Sequence, residues 1–336
     1  MATIQDVVKL AGVSTATVSR VLNNSPRVLP ETRKKVLDAI ETLDYKPNRL
    51  ARQFRTQTTG TVLVLLPRLI TDFYSVILEG IESVAQKANY RVYIATTHNS
   101  EAIEKSYFDA LSQKQVDGII TFSARLSKGY VNSFALQYPV VVACRYLQGA
   151  NFSSVTIDNT AASYQMTNYM IYLGHKHIVY LCGDPALPLY RSRLSGYRQA
   201  MEEHGLTPME RIVDNSESSI DDGYAHISRM LLGGEEFTAV VASGDSLAVG
   251  AIKALQAHHL RVPDDVAVCG FDDINLASLI TPTLTTIRQP RSMIGIRSME
   301  KMIDRINNGP GDPEQIVLDH ELVIRASSGK PLASAR

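Results

Sequence analysis

The stretch "GVSTATVSRVLN", Gly12 to Asn23, decides how the first part of the chain folds. Ser and Thr are mediocre helix formers, yet they crowd the front of this short segment. Ser14 is a suitable N-cap for a helix, and Gly12 allows a tight turn before it. The apolar residues at or near helical spacing are Val18, Val21 and Leu22, whereas Ala16 could face either way. The pattern predicts a short helix that presents hydroxyl groups.

The flanking segments predict two more helices. Upstream, Thr3 and Asp6 have the spacing of a capping box, with Asp in place of the usual Glu. Downstream, Pro30 stands just inside the start of "PETRKKVLDAIETLDY", residues 30–45. The expected buried stripe of this third helix is Val36, Leu37, Ile40 and Leu43.

Two short helices joined by a Gly-containing turn form a helix-turn-helix. Hydroxyls near the front of its second helix can contact phosphates and base edges in the major groove of DNA. A small helical bundle without a ligand is the alternative.

Charge is unevenly spread along a chain whose formal net charge is zero. Residues 1–60 carry ten Lys and Arg against five Asp and Glu, so the remaining residues have a net charge of −5. A basic head on a neutral protein suggests a polyanion-binding module joined to something else. A solvated face without a partner is the alternative.

The basic character continues through "YKPNRLARQFRTQTTG", residues 45–60. Three arginines recur at every third position, and Leu50 and Phe54 lie four apart, which predicts a helix too short to be stable alone. An apolar side chain between arginines suits insertion into the minor groove, where it unstacks a base step while the cations meet phosphates. A plain interdomain linker is the alternative.

Composition excludes other classes of protein. The chain has 336 residues, enough for two or three domains, and 45% of them are hydrophobic. No apolar run approaches the ~18–20 residues of a membrane span, and the first residues lack the layout of a signal peptide. We therefore expect a cytoplasmic protein with no membrane partner. Cys144, Cys182 and Cys269 are isolated, which favours buried thiols over a zinc site or disulfides.

From Thr61 onward, strand and helix patterns alternate. "TVLVLLP" predicts a buried strand, "FYSVILEGIESVAQKANY" an amphipathic helix, and the rhythm recurs as far as "VAVCGFDD". Strands separated by helices imply parallel sheets, and so many of them imply two doubly wound units. Ligands bind at the carboxyl ends of such strands, and two facing lobes form a cleft that can close.

Side chains near strand ends are the candidates for this cleft. They are Phe73, Tyr74, Arg145, Tyr190, Arg193 and Asp272. An Arg and an Asp from the second lobe, with aromatics from the first, could hydrogen-bond a polyol or ribose and stack on its ring. The alternatives are dimer or core packing for Phe73 and Tyr74, and a surface ion pair for Arg145. Asp158 and Asp245 are expected to be helix N-caps.

Enzyme motifs are missing from the sequence. It has no Gly-x-Ser-x-Gly nucleophile elbow and no Gly-x-x-x-x-Gly-Lys phosphate loop, and "LLPRLITD" lacks a dinucleotide-binding fingerprint. "GHKHI" places His175 and His177 two apart, but without a third ligand motif a turn leading into a strand is the better interpretation. We therefore predict a protein that is not an enzyme and has no cofactor and no metal.

Together, "TIQDVVKLAGVSTATVSRVLNN" and "TRKKVLDAIETLDYKPNRLAR" resemble the headpiece of the LacI/GalR family of bacterial transcription regulators. The likeness continues into an α/β periplasmic-binding-protein-like core of two doubly wound parallel-sheet subdomains. The resemblance implies an all-α helix-turn-helix headpiece over 1–47, a hinge helix and linker over 48–59, and an effector-binding and dimerisation core over 60–330. The core subdomains would be 60–157 plus 290–318, and 158–287 plus 319–330.

The resemblance also assigns DNA contacts. Thr15 and Ala16 would read bases in the major groove, and the hinge helix would enter the minor groove. The other contacts implied for the headpiece are Thr3, Ser14, Thr17, Ser19, Arg20 and Asn23. At the minor-groove face the resemblance implies Leu50, Ala51 and Phe54, with Phe54 where Leu is usual.

For the core, the resemblance implies a small-molecule effector between the lobes. Arg193 and Asp272 match the effector-binding positions best. "LPLYRSRLSGY" is more similar to nucleoside-responsive members, such as the cytidine repressor, than to hexose-responsive ones, so the expected effector is a nucleoside or a sugar. Gly244 stands where sugar-binding members usually carry Asn, and Ser218 where purine-binding members carry an aromatic residue.

The implied partners are double-stranded operator DNA and a second copy of the chain. Residues 77–87 and 275–290 correspond to the usual dimer surfaces. Because the sequence has no leucine heptad at its end, we expect a dimer and not a tetramer. The expected function is a transcriptional repressor controlled by its effector. The alternative, a two-lobed solute-binding protein of transport, would need a signal peptide and no basic headpiece.

Overall fold

The computed structural model describes residues 2–22, 25–46, 58–69, 72–122, 125–145, 149–213, 218–309 and 311–329. The chain divides into two units, residues 1–59 and 60–336. None of the helices in the described ranges combines the length and the apolar composition that crossing a bilayer requires.

Residues 2–22 and 25–46 form three helices, α1 (Ile4–Ala11), α2 (Thr15–Leu22) and α3 (Pro30–Thr42). The capping box is confirmed, because the Thr3 hydroxyl accepts the Asp6 N–H and the Asp6 carboxylate accepts the Thr3 N–H. Gly12 ends α1 in the left-handed region, at φ 64°. The predicted helix-turn-helix is therefore present, with α3 packed on α1.

Two expectations for α3 were wrong. The helix ends at Thr42 instead of continuing to Tyr45, and Leu37 is 49% exposed although it was expected in the buried stripe. Ala39 is buried instead, beside Val36. Successive helix residues point about 100° apart, so a narrow three-helix core covers the face of Val36 and leaves Leu37 outside.

The first sheet of the core is all-parallel. Its strands in the described ranges are β1 (Thr61–Leu66), β2 (Arg91–Thr96), β3 (Gly118–Thr121), β4 (Val140–Ala143), β5 (Ser153–Ile157) and β11 (Gln315–Leu318). They lie in the order β11-β5-β4-β3-β1-β2. The helices of this lobe are α4 (Asp72–Lys87), α5 (Glu101–Ser112), α6 (Lys128–Ala135) and α12 (Arg291–Asn308).

The second sheet is parallel except at one edge. Its described strands are β6 (Ile178–Cys182), β7 (Met209–Ile212), β8 (Ala239–Ala242), β9 (Ala267–Asp272), β10 (Thr285–Arg288) and β12 (Glu321–Val323). They lie in the order β12-β10-β9-β8-β6-β7, with β12 antiparallel to β10. The helices of this lobe are α7 (Asn159–Tyr172), α8 (Pro188–Glu203), α9 (Ile220–Leu232), α10 (Asp245–Ala257) and α11 (Asn275–Leu279), followed by a 3-10 turn at Ala326–Ser328.

The chain passes between the two sheets three times within the described ranges, after β5, after β10 and after β11. The expected fold class, a helix-turn-helix unit joined to two parallel-sheet subdomains, is confirmed. Triple crossings restrict the lobes to hinge-like relative motion, because each crossing is short.

Helix pairs in both lobes approach closely at glycines. A Cβ at Gly295 of α12 would lie 2.0 Å from the carbonyl oxygen of Ile77 in α4. A Cβ at Gly250 of α10 would lie 2.0 Å from the carbonyl oxygen of Ile220 in α9. Backbone atoms cannot move aside as a side chain can, so any larger residue forces the helices apart.

Gly295→Ala is expected to destabilise the core by about 1–3 kcal/mol, because the added methyl meets backbone. Gly129→Ala in α6 is the matched control, since a Cβ there meets no atom within 4 Å, and it is expected to stabilise by up to about 1 kcal/mol. The measurement is the Tm of the core transition in full-length protein. Equal Tm values for the two variants would contradict the packing argument.

Candidate functional site

The front of α2 is a solvent-facing surface of small and hydroxyl side chains. The Ser14 hydroxyl accepts the Thr17 N–H at 3.2 Å and lies 2.9 Å from the Thr17 hydroxyl. Val18 and Val21 face the headpiece core, which turns Ala16, left open by the sequence, toward solvent. The predicted DNA contacts that are exposed or half-exposed are Thr3, Ser14, Thr15, Ala16, Thr17, Ser19 and Arg20.

The other predicted DNA contacts lie outside the described residues. They are Asn23, Leu50, Ala51 and Phe54. Most of the segment 48–59 also lies outside them, so the hinge helix stays a prediction.

Four predicted effector residues share one environment at the strand ends. Tyr74 lies in the first turn of α4, Tyr190 and Arg193 lie in α8, and Asp272 ends β9. All three act electrostatically on the Tyr74 hydroxyl, together with Cys144. Pro188 stands at the first position of α8, so Tyr190 and Arg193 lie in the first two turns of that helix.

Arg193 is the centre of this cluster and is only 5% exposed. Its Nε donates to Asn159 Oδ1 at 2.8 Å, Nη1 to the carbonyl of Ser243 at 2.5 Å, and Nη2 to Asp272 Oδ1 at 3.2 Å. The guanidinium carbon also lies 3.6 Å from the centroid of the Phe271 ring. Three acceptors and an aromatic face fix the plane of the guanidinium.

Asp272 is bound from two sides. Its Oδ1 accepts hydrogen bonds from Arg193 and from Gln289 Nε2, the latter at 2.7 Å. Burial raises the pKa of Asp272 above its usual range, and the Arg193 charge opposes that rise. Arg193 and Asp272, both expected to contact a ligand, therefore pair with each other, and their opposite charges balance.

An aromatic wall stands on the first-lobe side. The Tyr74 ring packs edge-to-face against Phe73 at 5.2 Å and against Phe122 at 5.6 Å between centroids. Burial raises the pKa of Tyr74 well above its usual range, so its hydroxyl stays protonated. Phe73 and Tyr74 also pack on the first-lobe core, so part of their role is the packing alternative.

Arg145 has different neighbours. It is buried, and its Nη2 donates to the carbonyl of Leu126 at 3.2 Å, so the surface ion-pair alternative was wrong. Burial lowers the pKa of Arg145, while the buried Glu104 raises it and Arg191 of the second lobe lowers it further. Arg145 thus lies just after β4, where Arg191 of the second lobe is close enough to act on it.

Sequence reasoning missed several residues of the site. They are Phe122, Asn159, Ser243, Phe271 and Gln289. Most directly follow a strand or begin the next helix, so the strand-end rule that found Tyr74 would also have indicated them. Their side chains carry no chemical motif, which is why they were passed over.

Of the two predicted N-caps, one is confirmed. Asp158 accepts two backbone N–H groups at the start of α7. The prediction for Asp245 was wrong, because Gly244 occupies the cap position and Asp245 is the first helical residue. The Asp245 carboxylate instead accepts the Thr286 hydroxyl at 2.6 Å and the Ile274 N–H at 2.9 Å.

Polar contacts join the lobes across the cleft. Arg125, after β3, pairs with Asp184, after β6, at 3.0 Å between Nη2 and Oδ2. The Asp72 carboxylate at the start of α4 accepts the Asn275 N–H at 2.8 Å. The carboxyl ends of the two sheets therefore face one another, with the Arg193 cluster beside them.

No three His, Cys, Asp or Glu side chains in the described ranges converge in a way that could hold a metal ion. His175 lies just before β6, and its Nδ1 atom is 3.0 Å from the Thr238 hydroxyl. A turn leading into a strand is therefore what "GHKHI" forms.

Both units of the chain match known protein families. Residues 3–48 match bacterial regulatory proteins of the lacI family, and residues 167–328 match the periplasmic binding protein-like domain. The HTH-type transcriptional regulator RegA of Clostridium saccharobutylicum is 38% identical over 97% of this chain and 98% of its own. The protein belongs to the LacI family. The HTH-type transcriptional repressor CytR of Escherichia coli (strain K12) is 32% identical over 97% of this chain and 96% of its own.

A solved structure of the LacI family has the same fold. The crystal structure of the lac repressor dimer bound to operator and the anti-inducer ONPF superposes with a TM-score of 0.88 at 26% identity, covering 97% of this chain and 99% of that one. The resemblance noted in the headpiece and core sequences is confirmed. Both relatives are named as transcription regulators and not as enzymes.

In this LacI-family protein, Arg125→Ala is expected to widen the cleft. The pair is partly exposed, at 27% and 24%, and such pairs contribute about 1 kcal/mol or less, so the ratio of open to closed lobes should rise by about fivefold at most. The measurement is the distance between spin labels at the exposed Leu136 and Leu232, one on each lobe.

Exchanging the charges, with Arg125→Asp and Asp184→Arg together, should restore the distance. Arg261→Ala is the matched control, because Arg261 pairs with Asp265 inside the second lobe. A cleft as closed in Arg125→Ala as in the control would show that this ion pair does not hold the lobes.

Proposed function

We propose that the protein is a sequence-specific DNA-binding transcriptional repressor whose operator affinity is controlled by a small molecule bound between the core lobes. The observation that carries the proposal is the presence, in one chain, of a helix-turn-helix with an exposed hydroxyl face and a two-lobed core with a buried Arg–Asp pair at its cleft. The proposal is also supported by CytR, which is named as a repressor and is similar to this protein over 97% of the chain.

Double-stranded DNA is the proposed partner of the headpiece. The ten Lys and Arg of residues 1–60 supply the electrostatic attraction, and the front of α2 supplies small side chains that can approach base edges. Thr15 and Ala16 are proposed base readers, because both are exposed on that front. The hinge residues Leu50, Ala51 and Phe54 are proposed to enter the minor groove.

The proposed assembly is a homodimer on a pseudo-palindromic operator. The similar solved structure of the lac repressor is of a dimer bound to operator. Within residues 275–290, Leu279 is 75% exposed at the end of α11, which suits an apolar contact between copies. Residues 77–87 belong to α4, whose inner face packs on α12. A dimer places two headpieces on two half-sites.

The proposed effector is a neutral ring compound with several hydroxyls, a nucleoside or a sugar. Asp272 balances the charge of Arg193, so the site has no need of a charged ligand. Burial raises the pKa of Tyr190 as well as that of Tyr74, which leaves two protonated hydroxyls to donate or accept hydrogen bonds. The ring wall around Phe73 provides an apolar surface for a sugar or base face.

The protein is proposed to act in the cytoplasm, without a cofactor, a resident metal or catalytic activity. The relatives are named as regulators, and two charged groups of the cleft, Arg193 and Asp272, form an ion pair with each other. A solute-binding protein of transport shares the core architecture. The helix-turn-helix of residues 2–46 disfavours that alternative, because a transport protein of this kind would need no such unit.

Binding to DNA is expected to weaken steeply with salt. Neutralising six to ten phosphates should lower the affinity by about 10³–10⁵-fold between 50 and 200 mM salt. Sites selected from random DNA and from promoters near the protein's own coding sequence provide the duplexes for titration. Thr15→Ala should alter preference at one base pair, whereas Arg20→Ala should weaken all sequences alike; a flat salt response would refute the headpiece assignment.

Arg193→Lys is expected to abolish effector binding. Lysine keeps the charge but lacks the planar fork that contacts Asn159 and Asp272 together. The measurement is the Tm shift of full-length protein with a panel of nucleosides and sugars, since a ligand of the native state raises Tm.

Arg198→Lys is the matched control for that variant. Arg198 lies on the same helix and makes an exposed bidentate contact with Glu210. DNA binding should persist in both variants. A Tm shift retained by Arg193→Lys would remove Arg193 from the site.

A further inference from the structure

One buried carboxylate near the cleft lies outside the proposed effector contacts. Asp245 is 1% exposed and begins α10 directly after Gly244. One carboxylate oxygen accepts the hydroxyl of Thr286 in β10, and the other accepts the N–H of Ile274 beyond β9. Asp245 therefore ties a helix, a strand and a turn together.

The turn that Asp245 contacts has an unusual backbone. Asp272 and Asp273 both have positive φ, at 113° and 48°. Side chains rarely adopt this region, so the conformation persists only where the surroundings hold it. The pairing of Asp272 with Arg288 in β10 holds the start of the turn. The Ile274 N–H bound to Asp245 holds its end.

The same turn connects the cleft to the other lobe. Asp272 faces the cleft, whereas the carbonyl of Asp273 accepts a hydrogen bond from Arg291 Nη2, at the start of first-lobe helix α12, at 2.9 Å. Asn275 donates its N–H to the first-lobe Asp72 at 2.8 Å. Residues 272–275 thus have a proposed effector contact, Asp272, at one end and cross-lobe contacts at the other.

We propose that Asp245 is a positioning residue that holds the turn from Asp272 to Asn275 as one unit, so that displacement of the cleft contact also displaces the contacts to the first lobe. The proposal rests on the proposed function of the cleft as an effector site. It assigns Asp245 a coupling role without direct contact to the effector.

The electrostatics agree with this geometry. Burial raises the pKa of Asp245 well above its usual range, Asp272 and Asp273 raise it further, and the two hydrogen bonds oppose the rise. Both donors favour the charged form, which can accept from each of them at once. The carboxamide of Asn, which has the same shape, can accept only through its oxygen, because its nitrogen carries two N–H donors.

Asp245→Asn makes that change, since the amide nitrogen cannot accept a hydrogen bond. In full-length protein without effector, amides of residues 272–276 are expected to exchange with deuterium about tenfold faster or more, while β6 and β8 stay protected. The distribution of distances between spin labels at Leu136 and Leu232 should become broader at the same time. Thr286→Val should give a change in the same direction, because Thr286 Oγ1 donates to Asp245 and accepts the Asp273 N–H at 3.4 Å, and Thr286→Ser should behave as wild type.

Tyr197→Phe is the matched control. The Tyr197 hydroxyl is also buried in the second lobe and makes two hydrogen bonds, to the Ile178 carbonyl and from the Met209 N–H, both at 2.8 Å. Its loss is expected to destabilise the lobe without affecting the turn selectively.

A turn that stays protected in Asp245→Asn, or exchange that rises evenly through the lobe as in the control, would overturn the proposal. So would a turn that loosens while the lobe distance stays unchanged. If Asp245→Asn does not fold, a turn that stays protected in Thr286→Val overturns the proposal, because that variant removes both the hydroxyl that donates to Asp245 and the oxygen that accepts the Asp273 N–H. Neither readout uses DNA or effector, so failure of the proposed function is detected separately, by operator titration.

Discussion

The pairing of the buried Arg193 guanidinium with Asp272 is the interaction on which the effector cleft depends. A guanidinium removed from water without a partner costs several kcal/mol, so its acceptors must be in place whenever the lobe is folded. Those acceptors come from the start of α7, the loop after β8 and the end of β9, elements far apart in sequence. The charge requirement therefore brings three parts of the second lobe to one point at the strand ends. Because the pair is already neutral, a ligand has to compete through hydrogen bonds and ring contacts and not through net charge.

The packing inside each lobe is tighter than the contacts between the two lobes. Within each lobe, helices meet at glycines with almost no space between backbones, so the lobes resist internal deformation. Between them, the described contacts include one partly exposed ion pair and a few hydrogen bonds to backbone groups. Such contacts contribute little individually, so open and closed arrangements can lie close in free energy. A ligand with a modest preference for one arrangement then shifts the population, which is what an effector-controlled regulator requires.

The turn after β9 shows how local backbone strain and long-range function can share one feature. Its positive φ angles direct Asp272 into the cleft and place Asp273 and Asn275 against the first lobe. Strain of this kind is tolerated because a buried carboxylate and a neighbouring strand fix the backbone on both sides. The headpiece has a simpler arrangement, in which local caps and a small apolar core present the hydroxyl face of α2.

Much of this protein was determined by the sequence alone, wherever the deciding physics is local. The capping box at Thr3, the turn at Gly12 and the proline at the start of α3 predict the helix-turn-helix, because caps act within a few residues. The alternation of strands and helices predicts two parallel sheets, and strand ends in such sheets predict Tyr74, Arg193 and Asp272. Only the tertiary structure decided that Leu37 faces solvent, that Asp245 is a buried clamp instead of a cap, and that Asn159 and Gln289 complete the Arg193–Asp272 pair. Each of these depends on which elements meet in space, and the partners of Asp245 lie about thirty and forty residues further along the chain, beyond the reach of any local pattern.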